Sequence, residues 1–226
     1  MNEQELIKYI PKSTEVADNA EMFVSQMRQF QEMMMMYNCA IREVRTKLEV
    51  LNDEMSIRNT HNPIEMIKAR VKKPQSIAEK LIRRGHPVEV DSIMENIHDV
   101  AGIRVICSFI DDIYKVASML AAQDDITVLE VKDYIKNPKA NGYRSYHMIV
   151  EIPVFFSERK LDMKVEVQIR TIAMDFWASL EHQMKYKKEI RDPERIAQEL
   201  KECAEEISAL DDRMQHLRDQ INSAVQ

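Results

Sequence analysis

Glycine is scarce in this chain, with three in 226 residues. Neither a GxxxxGK[ST] loop nor a GxGxxG turn is present, so any phosphate-bearing ligand has to be held by side chains. Cysteine is equally sparse. Cys39, Cys107 and Cys203 are odd in number and far apart, which argues against a disulfide framework and against a CxxC zinc site. No apolar run is long enough to span a bilayer, and the opening MNEQELIKYI lacks the charged-then-apolar pattern of a signal peptide. These absences predict a cytoplasmic protein with no membrane partner. Positive charge is also short: 32 Lys and Arg stand against 38 Asp and Glu, a formal net charge of -6. That balance disfavours nucleic acid as a partner, because such binding draws mainly on neutralised phosphates. A local basic cluster is therefore informative.

What is present suits one sizeable domain with helical additions, since 45% of residues are hydrophobic and 31% charged. Phe23, Met27, Phe30, Met34, Tyr37, Ile41, Val44, Leu48, Leu51 and Met55 follow steps of four and three residues, which predicts a helix from about Thr14 to Arg58. The methionine run at 33–36 crosses this stripe and reads as core filling. Ile196, Leu200, Cys203, Ile207, Leu210, Met214, Leu217, Ile221 and Ala224 repeat the pattern, with Pro193 suited to the first turn. The stripes do not say whether these helices pack on each other, on the middle of the chain or on another subunit.

Between them the period changes to two. IRVICSFI, ITVLEV, YHMIVEI and LDMKVEVQI read as strands at 103–110, 126–131, 146–152 and 161–169. Asp111 or Asp112 can cap a helix carrying Ile113, Val116, Ala117 and Leu120, and Thr171 another carrying Ile172, Phe176, Leu180 and Met184. Loops fall at 59–66, 133–142, 153–160 and 187–192. The fold class is α+β, a mixed β-sheet with helices against one face and long N- and C-terminal helices. The chain divides into an N-terminal helical extension (1–58), a catalytic domain (59–190) and a C-terminal helix (191–226).

The strand LDMKVEVQIR is the sharpest, with Leu161, Met163, Val165, Val167 and Ile169 alternating with Asp162, Lys164, Glu166, Gln168 and Arg170. An isolated strand of this kind reads as a solvated sheet face. Asp99 and Arg104 lie at the start of the neighbouring strand in HDVAGIRV, and Gly102 between them allows tight packing or an unusual backbone angle. Asp99 and Glu166 together suit Mg²⁺, a hard ion that takes a few carboxylates and completes its shell with phosphate oxygens and water. Asp99 alone suits a helix or turn cap equally well.

The segment IKARVKKPQSIAEKLIRRG concentrates Lys68, Arg70, Lys72, Lys73, Lys80, Arg83 and Arg84, with Lys80, Arg83 and Arg84 at helical spacing from Ser76. A basic face is usually just solvated. With Lys132, Lys139, Arg144 and His147 it makes an electropositive cleft suited to a polyphosphate. Tyr143 is then placed to stack on a base, and Arg70 or Arg104 to lay its guanidinium plane on another. Gly142 amid Lys139, Tyr143, Arg144, Tyr146 and His147 marks this loop as a ligand contact.

HDVAGIRV, KDYIKNPKANGYRSYH, VEVQIRT and AMDFWASLEHQMKYK, within about residues 60–190, together resemble the synthetase domain of the RelA/SpoT family, specifically its stand-alone small alarmone synthetases. The resemblance implies a nucleotidyltransferase-like synthetase fold. It implies transfer of the β,γ-pyrophosphate of ATP to the ribose 3′-hydroxyl of GDP or GTP, giving ppGpp or pppGpp and AMP, the alarmone synthesis of the stringent response. In that scheme Asp99 binds Mg²⁺, and Glu166 activates the 3′-hydroxyl and shares the metal. Arg70 and Arg104 correspond to the pair that sandwiches adenine. Lys72, Ser76 and Lys80 correspond to positions on the ATP phosphates, with Lys132 assisting. On the acceptor side, Tyr143 matches the residue stacked on guanine, Lys139 and His147 match positions near the 5′-phosphates, and Asp175 and Gln168 fall near the base edge. The resemblance also implies a homotetramer. Hydrolysis of the product is not expected, because His98 and Asp99 sit at a strand entrance rather than in a helical metal site. Two other readings are a pyrophosphokinase acting on an RNA 3′ end and a catalytically silent nucleotide-binding helical module.

Overall fold

The stripe of the first third becomes α1 (Ser13–Arg58), and the computed structural model describes residues 13–58, 62–185 and 192–225. From Tyr37 onward the stripe is core: Tyr37, Ile41, Val44, Leu48, Leu51 and Met55 are buried, as are Met33 and Met36 of the methionine run. Nearer its start the helix leaves the core, and Met27 is 45% exposed. Each fully buried aliphatic side chain contributes about 1.5–3 kcal/mol, so the second half of α1 is what fastens it to the domain.

It fastens to a sheet of five strands, β1 (Ile64–Val71), β2 (Ala101–Cys107), β3 (Thr127–Asp133), β4 (Tyr146–Phe155) and β5 (Lys160–Thr171). Their order is β1-β2-β5-β4-β3, with β2 and β5 parallel and the other pairs antiparallel. The architecture is the α+β mixed sheet expected. The alternation of β5 holds: Met163, Val165, Val167 and Ile169 are buried in one cluster with Tyr37, Val44 and Leu48 of α1. Ile113, Val116, Ala117 and Leu120 of α4 (Ile110–Ala121) join the same cluster. Between β1 and β2 lie the short helices α2 (Pro74–Arg84) and α3 (Val90–Asn96). After β5 come α5 (Ile172–Lys185) and α6 (Pro193–Val225).

Several expectations need correction. β1 falls where the sequence pattern suggests a loop and a basic segment. It is an edge strand whose register shifts between Ile64 and Met66, and the bulge breaks the period-two pattern. β4 runs on to Phe155 and β5 begins at Lys160, so the loop expected at 153–160 shrinks to a tight turn. Positions 59–61 and 187–191 of the expected loops lie outside the described residues. Neither Asp111 nor Asp112 caps α4. The cap position is Phe109, without a side-chain bond, and both acids in the first turn face Arg218 of α6 instead, at 3.0 and 3.9 Å. Thr171 does cap α5, its Oγ1 accepting from the Met174 backbone N at 3.1 Å.

The α6 stripe divides. Leu200 is buried with Ala204, Trp177 and Ala178, and the Trp177 indole donates to the Leu200 carbonyl at 2.9 Å. Farther along, the residues facing the domain are Asp211 and Gln215, both buried, while Leu210, Met214, Leu217 and Ile221 are exposed. Thr171 Oγ1 donates to Asp211, and Gln215 Nε2 to Asp111 at 2.8 Å, so polar contacts hold this half of the helix in place.

Gly142 has a role the sequence did not specify. Its φ is +85°, and an added Cβ would lie 2.6 Å from the Ala204 Cβ. The glycine therefore seats the loop against α6, and the close approach it permits is to a helix. Gly102 has no positive φ, and an added Cβ there would meet nothing closer than 3.8 Å.

Candidate active site

Strand register builds the site. On the face opposite α1, Lys132 of β3, His147 of β4, Gln168 of β5, Arg104 of β2 and Lys68 of β1 are successive cross-strand partners. In the adjacent row Ile149, Glu166, Gly102 and Arg70 follow one another. Having no side chain, Gly102 leaves the space between Glu166 and Arg70 open. Lys68, Arg70, Asp99, Gly102, Arg104, Glu166 and Gln168 line the resulting cleft, of about 220 Å³.

Asp99 lies at the cleft edge, just ahead of β2. Lys72 Nζ is 2.7 Å from Oδ2 and Lys80 Nζ 2.8 Å from Oδ1. Burial works to raise its pKa, but the two ammonium groups outweigh it and hold the carboxyl below its usual range. Asp99 Oδ1 is buried and receives no well-directed hydrogen bond. Lys72 is itself fixed by its backbone N–H, which donates to Val100 O at 2.8 Å. Ser76 and Lys80 stand one helical turn apart on α2. Arg84, at the end of that helix, donates to Asn96 O at 2.9 Å.

Glu166 takes a hydrogen bond from Gln168 Nε2 at 2.8 Å, and His147 Nδ1 lies 3.5 Å from its Oε1. Burial pushes its pKa up, as does the Asp99 charge to a lesser degree, while His147 and Gln168 bring the net shift below the ordinary value. Glu166 is thus a carboxylate at neutral pH, with Oε2 taking the Gln168 bond and Oε1 facing His147.

The acceptor-side residues gather at the other end of this face. Asp133 Oδ1 accepts from the backbone N of Ile135 and Lys136, both at 3.0 Å, and so turns the chain out of β3. Lys139 Nζ lies over the rings of Tyr134 and Tyr143, at 4.6 and 4.7 Å from their centroids. Tyr143 OH is 2.9 Å from His147 Nε2. Lys132 pairs with Glu130 at 2.9 Å and is half-exposed. Asp175, expected at the base edge, shares its Oδ1 between Arg104 at 3.1 Å and Arg170 at 3.2 Å, and its Oδ2 lies 3.8 Å from Lys68.

Sequence reasoning overlooked Arg170, Tyr134 and Ser145. Arg170 is 4% exposed and donates to Tyr143 OH, Gln168 Oε1, Ser145 Oγ and Asp175 Oδ1. Its burial brings its pKa down, the nearby acid and phenol opposing this. The signal was available, because Arg170 holds the last alternating polar position of β5.

One carboxylate on the sheet floor, Glu166, and one at the cleft edge, Asp99, with lysines and arginines around them and a tyrosine-rich loop beside them, suit the class of proteins that handle nucleotide polyphosphates. The chain belongs to the RelA/SpoT family, since the region found in RelA and SpoT proteins matches residues 69–191. GTP pyrophosphokinase YwaC of Bacillus subtilis strain 168 is 44% identical over 87% of this chain and 93% of its own length. The crystal structure of small alarmone synthetase 1 from B. subtilis bound to its product pppGpp superposes with a TM-score of 0.78, at 37% identity, over 86% of this chain and 99% of that one. The same synthetase bound to AMPCPP superposes with a TM-score of 0.72, at 34% identity, over 86% and 98%.

Proposed function

We propose that this protein transfers the β,γ-pyrophosphate of ATP to the 3′-hydroxyl of GDP or GTP, releasing AMP. The observation that carries the reading is one cleft lined by Asp99, Glu166, Arg70 and Arg104 in a chain of this family. The attacking 3′-oxygen loses its proton to Glu166, the bond from that oxygen to the β-phosphorus forms, and the bond to the AMP oxygen breaks. Arg70 and Arg104 hold adenine between their planes. Lys72, Lys80 and Ser76 take the ATP phosphates, and Lys132 assists from β3. Tyr143 stacks on guanine, Lys139 moves from the tyrosine rings to the acceptor phosphates, and Gln168 and Asp175 border the base.

Asp99 and Glu166 fit a Mg²⁺ site, because both are ionised oxygen donors lining one cleft. When bound there, the ion supplies positive charge against the phosphoryl oxygens. Purified protein incubated with ATP, Mg²⁺ and GDP or GTP is expected to give equal amounts of AMP and a guanine nucleotide carrying two extra phosphates, resolved by anion exchange. AMP formed only when an RNA 3′ end is added would replace the acceptor. Tight nucleotide binding without AMP would mark a silent module.

No helix among the described residues is long and apolar enough to cross a membrane, and we propose a cytoplasmic location, where ATP and GDP or GTP are supplied. We also propose that it forms a homo-oligomer, a homotetramer by its resemblance to the small synthetases. Ile172 and Phe176 of α5, with Leu210 and Met214 of α6, are all at least 49% exposed and line one apolar groove. A second copy of the chain covers such a strip at least cost, since identical faces meet identical faces. The double substitution L210E/M214E is expected to lower the mass in sedimentation equilibrium towards the 26.5 kDa of one chain. An unchanged mass would assign assembly to another face.

A further inference from the structure

Four side chains form a relay ending on Glu166, two hydrogen bonds followed by a His147–carboxylate contact. The buried Arg170 guanidinium donates from Nη2 to Tyr143 OH, Tyr143 OH lies 2.9 Å from His147 Nε2, and His147 Nδ1 lies 3.5 Å from Glu166 Oε1. With a neutral imidazole, donor counting sets the direction of each contact. Arginine has only donors, so the Tyr143 oxygen accepts from it and the hydroxyl proton is free to point onward. Glu166 is ionised and has only acceptors, so the nitrogen facing it carries the hydrogen. With Nδ1 protonated, a neutral imidazole offers Nε2 as the acceptor for the hydroxyl. The reverse tautomer would set an imidazole lone pair against the carboxylate and leave the hydroxyl proton of Tyr143 without this acceptor.

The surroundings hold that geometry. Tyr134 meets the His147 ring edge-on at 5.2 Å and 88°, and Tyr143 meets it at 5.8 Å and 82°. Arg170 is locked by Ser145 Oγ at 3.3 Å and Asp175 Oδ1 at 3.2 Å.

We propose that the Tyr143 hydroxyl, backed by Arg170, is a positioning group for catalysis: it sets the His147 tautomer so that Nδ1–H holds Glu166 towards the 3′-hydroxyl. The tyrosine then has two separable roles, its ring for the guanine and its hydroxyl for the base, the first resting on the function proposed above. His147 carries a role beyond contact with acceptor phosphates, because both its ring nitrogens face protein partners.

Tyr143→Phe keeps the ring and removes only the hydroxyl. Loss of an outer partner of this kind is expected to lower kcat by about tenfold, with the KM for GDP within about twofold of the wild type because ring stacking is retained. An unchanged kcat, or an effect confined to KM, overturns the positioning role. A second measurement needs no turnover: ¹⁵N NMR of the histidine-labelled protein at about pH 8, where an ordinary imidazole is neutral. The His147 signals are identified by their loss in His147→Asn. Nδ1 should be pyrrole-type and Nε2 pyridine-type in the wild type, and Tyr143→Phe should move the Nε2 signal downfield, towards that of a nitrogen that accepts no hydrogen bond. A pyridine-type Nδ1 in the wild type, or no change in the variant, overturns the proposal. Because the NMR readout stands even if no alarmone is made, failure of this relay is distinguishable from failure of the assigned reaction.

Discussion

Glu166→Gln is expected to lower kcat for AMP formation about 10³-fold, within the range that a general base contributes, while the urea unfolding midpoint stays close to that of the wild type. The reasoning starts from shape. Glutamine has the same length, and its one side-chain oxygen can keep the bond from Gln168, now 2.8 Å to Oε2, while its amide nitrogen takes the place of Oε1, 3.5 Å from His147 Nδ1. What disappears is the negative charge, and with it the capacity to take the 3′-hydroxyl proton at neutral pH. The fold loses little, because burial and the Asp99 charge oppose most of what His147 and Gln168 gain from the carboxylate, leaving it only below its ordinary range. A neutral amide there relieves that repulsion and offsets the weaker hydrogen bonds. Steady-state AMP release and urea titration on the same preparation decide the matter. A kcat within about threefold of the wild type would remove Glu166 from proton transfer, since even a weak general base contributes more.

Much of this site was legible because β5 obeys a simple rule. Alternation in LDMKVEVQIR separates Val165, Val167 and Ile169, which are buried, from Glu166 and Gln168, which face the cleft. The same rule missed β1, where a register shift between Ile64 and Met66 and an edge position left Lys68 and Arg70 as part of a basic segment rather than of a strand. Register was beyond reach as well. That Gly102 stands between Glu166 and Arg70 depends on pairing between segments far apart in sequence, which period alone does not fix.

Arg170 was missed for a related reason. Its partners, Tyr143, Ser145 and Asp175, come from a loop, a strand entrance and a helix, so nothing local announces them. Apolar period likewise marked α6 as amphipathic without naming its neighbour. Asp211 and Gln215 face the domain, while Leu210 and Met214 face outward. Periodicity reports that a face is apolar, and only packing reports what covers it.

Asp175→Asn is expected to destabilise the protein by about 3 kcal/mol, the lower end of what removing one partner from a buried ion pair costs. Asp175 Oδ1 is shared by Arg104 and Arg170, with Lys68 at 3.8 Å from Oδ2, and Arg170 is only 4% exposed. Asparagine keeps one acceptor oxygen but leaves these cations with no negative charge in their midst. The same shared carboxylate joins the two halves of the site, because Arg104 belongs to the proposed adenine side and Arg170 supports Tyr143 on the proposed guanine side. An ion hub therefore predicts a lower urea midpoint together with raised KM values for both ATP and GDP. A residue that only reads the guanine edge predicts a change confined to the acceptor, with weaker discrimination against ADP and no loss of stability. Urea unfolding and the two KM values separate these roles. A midpoint like that of the wild type would mean that the cation cluster does not depend on Asp175, and the carboxylate would then act on the base alone.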